Sequence, residues 1–380
     1  MTATYLPRLL GLFLLLLAIY LAIAGLVYAP WGYYGTVEEP RFGDPWRERA
    51  DAILSGRLLY RDVFTSTPPL TNYLLLAPSL VARAFGDRNP GATLAFMLYF
   101  ALFNLLTAII LWRGAATPGE GWRAAAVFLL NPLTFGNAVL RRQDEAILTC
   151  FFALSLALLA RRGWRSSALA MGATLLVKLT GALLIPVALL HRRDWRLLVA
   201  PLGIFALAML PFVILAGRAA FFWDPQTDNA EHPFQFDGIS LGNLWNKFHP
   251  PEQDLSVALM SVLFLLAVGG MAAFILWRPR GLYEDLLLLL IPILIFSPKL
   301  HAGYFSLLAV VAAPLLARYR LHLPYFALGG LVLVVDFAKF PLKNYPLGLG
   351  AIALASLILL VIAARILTGG QMAGARSTPC

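Results

Sequence analysis

Side chains able to do chemistry gather at a few places in the 380-residue chain. Residues 31–62 hold Asp44 with Glu38, Glu39, Glu48, Asp51 and Asp62 nearby. Pro45 suits a first helical turn and Gly56 a helix end, so a short helix is expected over 45–55 with Asp44 at its N-cap. A carboxylate there stays ionised and can accept a proton. The plainer reading is a cap alone, worth about 1 kcal/mol. Next, NPLTFGNAVLRRQDEAIL brings Arg141, Arg142, Gln143, Asp144 and Glu145 together. Paired guanidinium groups suit a phosphate or a carboxylate. Equally, Asp144 or Glu145 can cap the helix that follows. Lys178, in LLVKLTGALLIP, is the most isolated charge in an apolar setting. An ionisable group within apolar segments is functional, or paired with a partner, by default. SPKLHAGYF adds Lys299, His301 and Tyr304; a histidine there can ligate a metal, carry a proton or make a hydrogen bond. Asp336 and Lys339 share a helical face and are expected to pair.

The elements that position these groups follow from composition. Hydrophobic residues make up 60% and charged residues 13% of the chain, and the mean hydropathy is +0.75. A soluble domain has about 25% charged residues. So few charges cannot cover a water-facing surface, and the chain reads as an all-α polytopic membrane protein. Soluble enzymes, disulfide scaffolds, disordered regulators and nucleic-acid binders are excluded. Cys150 and Cys380 form no metal or disulfide framework.

Crossing a bilayer takes about 20 apolar residues. Spans are expected at 8–29, 93–112, 122–140, 145–160, 196–216, 255–277, 284–296, 303–317, 323–338 and 347–367. Segment 69–86 carries Asn72, Pro78 and Arg83 and reads as an interfacial helix. Segment 166–190 has the length of one span, yet a Lys at the bilayer centre costs a few kcal/mol. A break there gives helices 166–178 and 180–190 with Lys178 at the turn, lining a polar cavity. The total is about 12 spans (11–13) with both termini inside.

Charge tests this arrangement. The inner side collects 15 Arg and 4 acids, a net +11, and the outer side the other 15 basic and 16 acidic residues, a net −1. The excess of Lys and Arg in short inner loops is a topology signal rather than a nucleic-acid footprint. A single span over 166–190 would put Arg192, Arg193 and Arg196 outside. Chemistry is therefore expected at the outer face, on the long segments 31–92 and 217–254 of a single 1–380 domain.

The order of these pieces resembles the GT-C class of integral-membrane glycosyltransferases, above all the polyprenyl-phosphate-mannose-type and related bacterial mannosyl- and arabinosyltransferases. The likeness runs over residues 8–310. It rests on Asp44 before Gly56, Tyr60-Arg61-Asp62, Pro68-Pro69-Leu70, Asn131-Pro132, Gln143-Asp144, Lys178, and Ser297-Pro298 with His301 and Tyr304. The resemblance implies a helical bundle with amphipathic helices in the first outer loop. It implies transfer of a mannose-like or pentose sugar from a polyprenyl-phosphate donor to an acceptor hydroxyl, with inversion, at the extracytoplasmic face of the cytoplasmic membrane. The acceptor would be a lipid or a glycan. By position Asp44 matches the general base, with Glu38 and Asp62 behind it. Lys178, Lys299, Arg141 and Arg142 would hold the donor phosphate. Gln143, Asp144, His301, Tyr304, Gln235 and Asp237 would contact sugar or acceptor. Ser66-Thr67 stand where many relatives carry an acid or a base before the Pro-Pro pair, which throws more weight onto Asp44. No cofactor is required. A divalent cation is compatible with the outer acids, but no ligand spacing demands one. The alternative reading is a transporter or flippase of a lipid-linked saccharide.

Overall fold

The computed structural model describes residues 5–28, 45–63, 65–85, 90–161, 163–217, 239–241, 254–297, 300, 302–338 and 345–374. Their regular structure is helical, apart from one isolated bridge pairing Leu59 with Val63. In chain order the helices are α1 (Tyr5–Tyr28), α2 (Pro45–Leu54), α3 (Pro69–Leu74), α4 (Leu76–Arg83), α5 (Pro90–Gly114), α6 (Pro118–Leu130), α7 (Pro132–Phe135), α8 (Glu145–Ala160), α9 (Trp164–Val177), α10 (Leu184–Arg192) and α11 (Arg196–Ala216). Then come α12 (Asp254–Trp277), α13 (Leu282–Phe296), α14 (Phe305–Ala312), α15 (Leu316–Tyr319), α16 (His322–Ala338) and α17 (Tyr345–Gly374).

Among the described residues, six helices are long and apolar enough to cross a membrane: Tyr5–Leu26, Gly91–Gly114, Arg196–Ala216, Leu259–Trp277, Ala302–Tyr319 and Pro346–Gly369. A seventh is reached if α6 and the helical turns after Asn131 count as one span. The protein is an integral membrane protein; among the described residues helices of that length do not confirm the expected count of about 12, and shorter apolar helices stand beside them at Glu145–Ala160, Leu179–Arg192 and His322–Asp336. Segment 122–140, expected as one span, breaks at Asn131-Pro132. The Asn131 Oδ1 accepts the Leu133 N–H at 3.0 Å and so starts a new turn. The expected 45–55 helix is α2, followed by Gly56 at φ +85°, a conformation that a glycine adopts without strain. Segment 69–86 forms the short helices α3 and α4, neither long enough to span.

The chain forms two compact units: Met1–Pro118 with Phe135–Glu231, and Gly119–Thr134 with His232–Cys380. In the first, α8 packs between α5 and α9, and α9 packs on α11. The approach of α9 to α11 is close: a Cβ on Gly172 would stand 2.9 Å from Ile204. Phe96, Phe100, Phe152, Leu148 and Leu156 are buried in this core. Helix α1 stacks Tyr20 on Phe135, with ring centroids 5.5 Å apart, and leaves Leu14, Leu15 and Leu26 exposed, as a helix facing lipid tails would. Asp51 ties α2 to α4, accepting from Ser79 Oγ at 2.7 Å and Arg83 Nε at 2.8 Å.

In the second unit, α13 is buried along its length from Glu284 to Pro292. Its two acids are satisfied: Glu284 accepts from Arg318 at 2.8 Å, and Asp285 from the Arg280 N–H at 3.0 Å. Tyr325 on α16 donates to the Ala309 carbonyl at 3.2 Å. The expected Asp336–Lys339 pair lies partly outside the described residues.

Candidate active site

The site is built on the break at Lys178. Helix α9 ends at Val177, Lys178 is extended (φ −160°, ψ 138°), and a 3-10 turn over Leu179–Leu183 leads into α10. The expected division of 166–190 is therefore present. Side chains and loops take up the hydrogen-bonding groups that a break frees. Thr71 on α3 donates to the Val177 carbonyl at 2.8 Å, and the Lys178 N–H reaches the Thr174 carbonyl at 2.9 Å. Gly181 lets the turn close on α9, since a Cβ there would stand 2.7 Å from Thr174 Cγ2.

The Lys178 ammonium turns towards the start of α8. It donates to Asp144 Oδ1 at 3.1 Å and to Glu145 Oε1 at 2.5 Å. The side chains are 19%, 1% and 4% exposed, in the order Lys178, Asp144, Glu145. Asp144 stands at the N-cap of α8 but makes no side-chain cap hydrogen bond. Its carboxylate serves Lys178 instead. Lys178, which the resemblance assigns to the donor phosphate, is engaged here by two carboxylates, since a buried charge without a counter-charge is far more costly than a paired one. The second oxygen of Asp144 is buried without a hydrogen-bond partner. In this segment before α8, burial pushes the Asp144 carboxyl up, and Lys178 pulls it down.

Helix α2 closes the cluster. The Trp46 indole N–H donates to the Arg142 carbonyl at 2.9 Å. Arg49 stacks on Trp46, 5.3 Å from the ring centroid, and donates to Thr67 Oγ1 at 3.2 Å. Its charge acts on Asp144, and burial lowers its own pKa. Gly136–Leu140 form a π-helical turn, closed by Arg141 N–H to the Gly136 carbonyl, and Gln143 N–H meets the Asn137 carbonyl beyond it, both at 2.9 Å. Arg142 sits at φ +51°, a left-handed conformation that costs a non-glycine residue about 1–3 kcal/mol and clusters at functional sites. Thr67 is a second hub. Its carbonyl accepts from Tyr60 Oη at 2.8 Å and Asn72 Nδ2 at 3.0 Å. Burial raises the Tyr60 hydroxyl's pKa, so it remains a neutral donor.

The fold thus brings together Arg142, Gln143, Asp144 and Lys178, with Arg141 in the same turn. It adds Glu145 as an ion-pair partner, and Trp46, Arg49 and Thr67, which spacing alone did not single out. Asp62 is placed differently. It closes an exposed turn, accepting from the Leu58 N–H at 2.8 Å and from Arg61 at 2.9 Å. The hydrogen bond from Arg61, then that from Leu58, holds its carboxyl low, at about 2. Tyr304 lies in a short turn over Ala302–Tyr304 before α14, in the second unit. Asp44, Glu38, Lys299, His301, Gln235 and Asp237 lie outside the described residues. Among the described residues, no three His, Cys, Asp or Glu side chains are grouped to hold a metal ion.

No curated protein matches the chain. The structure of ArnT from Cupriavidus metallidurans in the apo state aligns with a TM-score of 0.42 and 17% identity, over 93% of this chain and 76% of that one. The model of glycosyltransferase family 87 matches residues 64–298, more than half of the chain and the stretch that holds Arg141, Asp144, Glu145 and Lys178. The chain belongs to glycosyltransferase family 87 and, with its long apolar helices, is a membrane glycosyltransferase.

Proposed function

We propose that the protein transfers a sugar, mannose-like or a pentose, from a polyprenyl-phosphate donor to an acceptor hydroxyl of a lipid or glycan. The reaction runs with inversion at the extracytoplasmic face of the cytoplasmic membrane. The acceptor oxygen attacks the anomeric carbon, Asp44 takes the hydroxyl proton, and the bond from that carbon to the phosphate oxygen breaks. The polyprenyl phosphate leaves with the electron pair. Cations must meet the charge that develops on it. Arg141, Arg142 and Lys299 are assigned that task, with Gln143, His301, Tyr304, Gln235 and Asp237 towards sugar and acceptor. Lys178 acts one step back, fixing Asp144 and Glu145.

One observation carries this reading. The start of α2, directly after Asp44 in sequence, is fastened to the Arg141–Arg142 turn by the Trp46 to Arg142 hydrogen bond of 2.9 Å. A base and phosphate-binding arginines must act on the two sides of one anomeric carbon, so the segments bearing them have to be held together. Family membership favours transfer over the transporter reading, since a flippase makes no glycosidic bond.

The test is an assay of purified protein with labelled polyprenyl-phosphate-mannose, and separately a polyprenyl-phosphate pentose, with a mixed acceptor extract. Wild type is expected to transfer label, and Asp44→Asn to lose at least a hundredfold, the scale of general base catalysis. Full activity in a folded Asp44→Asn enzyme refutes the base. Transfer from neither donor, with label crossing vesicles unchanged, refutes the reaction.

A further inference from the structure

Helices α8 and α9 run side by side, with the Lys178 cluster at one end of the pair. At about 1.5 Å per residue, the 16 residues of α8 and the 14 of α9 carry the chain about 20–24 Å to the other end. A cavity of about 140 Å³ opens there, between Leu159, the start of α9 from Gly163 to Ser167, and the turn from Arg192 to Leu197. Arg192 is fixed in its wall by donating to the Leu159 carbonyl. Trp164 carries two more guanidinium groups, Arg196 at 5.1 Å and Arg165 at 5.5 Å from its ring centroid. Arg193 follows at the end of α10, exposed and at φ +50°. The acid in the lining, Asp194, accepts the Arg196 backbone N–H at 3.0 Å and so serves the start of α11.

Charge and shape together define a ligand. Of the lining residues Arg192 and Asp194 are charged, and Arg165, Arg193 and Arg196 stand beside the mouth, so the surroundings of the pocket favour an anion. The cavity has room for a small polar headgroup such as a phosphodiester. The helices that frame it then turn apolar. Leu198, Val199 and Leu202 on α11, and Leu169 on α9, are exposed at 38%, 53%, 43% and 62%. Trp195, 66% exposed at the same turn, is the residue type that settles at the headgroup level. A soluble anion gains nothing from an apolar wall beginning one residue beyond the pocket; acyl chains do.

We propose that this pocket binds the headgroup phosphodiester of an anionic phospholipid, whose chains lie along the exposed apolar residues of α9 and α11. Basic pockets between helices on the cytoplasmic side suit such headgroups. The site is separate from the transfer chemistry and stands whether or not the donor assignment is right.

The test uses the full chain in detergent, titrated with phosphatidylglycerol or phosphatidylcholine and read by native mass spectrometry. The proteins are wild type, Arg192→Gln, Arg196→Gln and, as a control in the second unit, Arg280→Gln. Wild type and Arg280→Gln are expected to retain phosphatidylglycerol at least tenfold better than phosphatidylcholine. Arg192→Gln and Arg196→Gln should each lose most of that preference. Arg196 is exposed and its side chain stacks on Trp164, so that variant should keep wild-type circular dichroism and sugar transfer. Equal retention of the two lipids by wild type, or an undiminished preference in a folded Arg196→Gln, overturns the proposal. Displacement of the lipid by millimolar inorganic phosphate, with equal stabilisation by phosphate alone, overturns the lipid as occupant in favour of a soluble anion.

Discussion

Replacing Lys178 with Met removes one positive charge from a cluster in which two carboxylates are 1% and 4% exposed. The side-chain volume is nearly kept, so the loss is electrostatic. Stranding the partner of a buried ion pair costs about 3–5 kcal/mol. Here two neighbouring carboxylates lose this counter-charge together, and Asp144 Oδ2 has no hydrogen-bond partner to begin with. Their relief is to bind a proton, at about 1.4 kcal/mol per unit between pKa and pH. The destabilisation of Lys178→Met should therefore shrink as pH falls from 8 towards 5. For a unit of this size, 3 kcal/mol corresponds to a drop in Tm of about 6 °C or more. The assay is thermal unfolding in detergent at both pH values, for Lys178→Met and for Lys178→Met combined with Asp144→Asn and Glu145→Gln. The combined variant carries no stranded charge and should recover most of the loss. A Lys178→Met protein within about 0.5 kcal/mol of wild type, or a combined variant no better than the single one, refutes the assignment of the cluster as a charge-balanced brace.

Gly181→Ala places a Cβ 2.7 Å from Thr174 Cγ2 and 3.0 Å from the Thr174 carbonyl carbon, so the turn after Lys178 must open. An overpacked site costs about 1–3 kcal/mol, and an unchanged Tm would contradict the packing described. Asp62 has its carboxyl depressed from 3.8 to about 2, chiefly by the hydrogen bond from Arg61. What it adds to stability is present above its ordinary pKa and is lost only as pH falls towards 2. The difference in Tm between wild type and Asp62→Asn should thus stay constant from pH 8 to pH 5, and a difference that varies across that range would count against this pairing.

Features with a local cause were legible in the sequence. The apolar run 145–160 is α8 to the residue, because Asp144-Glu145 and Arg161 bound it. The break at Lys178 follows from the cost of a charge inside a span. Helix α2 follows from Pro45 and Gly56. Asn131-Pro132 carried the signal for the break that the 122–140 span missed, since Asn-Pro favours a turn and a proline interrupts the helical hydrogen bonds. That the Asp144 side chain does not cap α8, one of the readings the sequence left open, has a different reason. A carboxylate before a helix caps it unless a stronger partner competes, and Lys178, 34 residues away, is that partner. Trp46 reaches Arg142 across 96 residues, and no periodicity or spacing encodes such a contact. It depends on how α2 packs.

The first unit treats its charges in opposite ways at the two ends of α8 and α9, and the contrast has one physical origin. Where Lys178 interrupts α9, its surroundings are buried, and a net charge there would be costly, so two carboxylates stand against one ammonium with Arg49 near. At the other end, Arg165, Arg193 and Arg196 are exposed, and water or lipid headgroups can solvate them. A buried cluster must balance itself within the chain, whereas an exposed one can leave its balance to the membrane. That asymmetry fits the proposed transfer chemistry, which needs fixed, desolvated groups, at the Lys178 end. It leaves the arginine end to the lipid site proposed above.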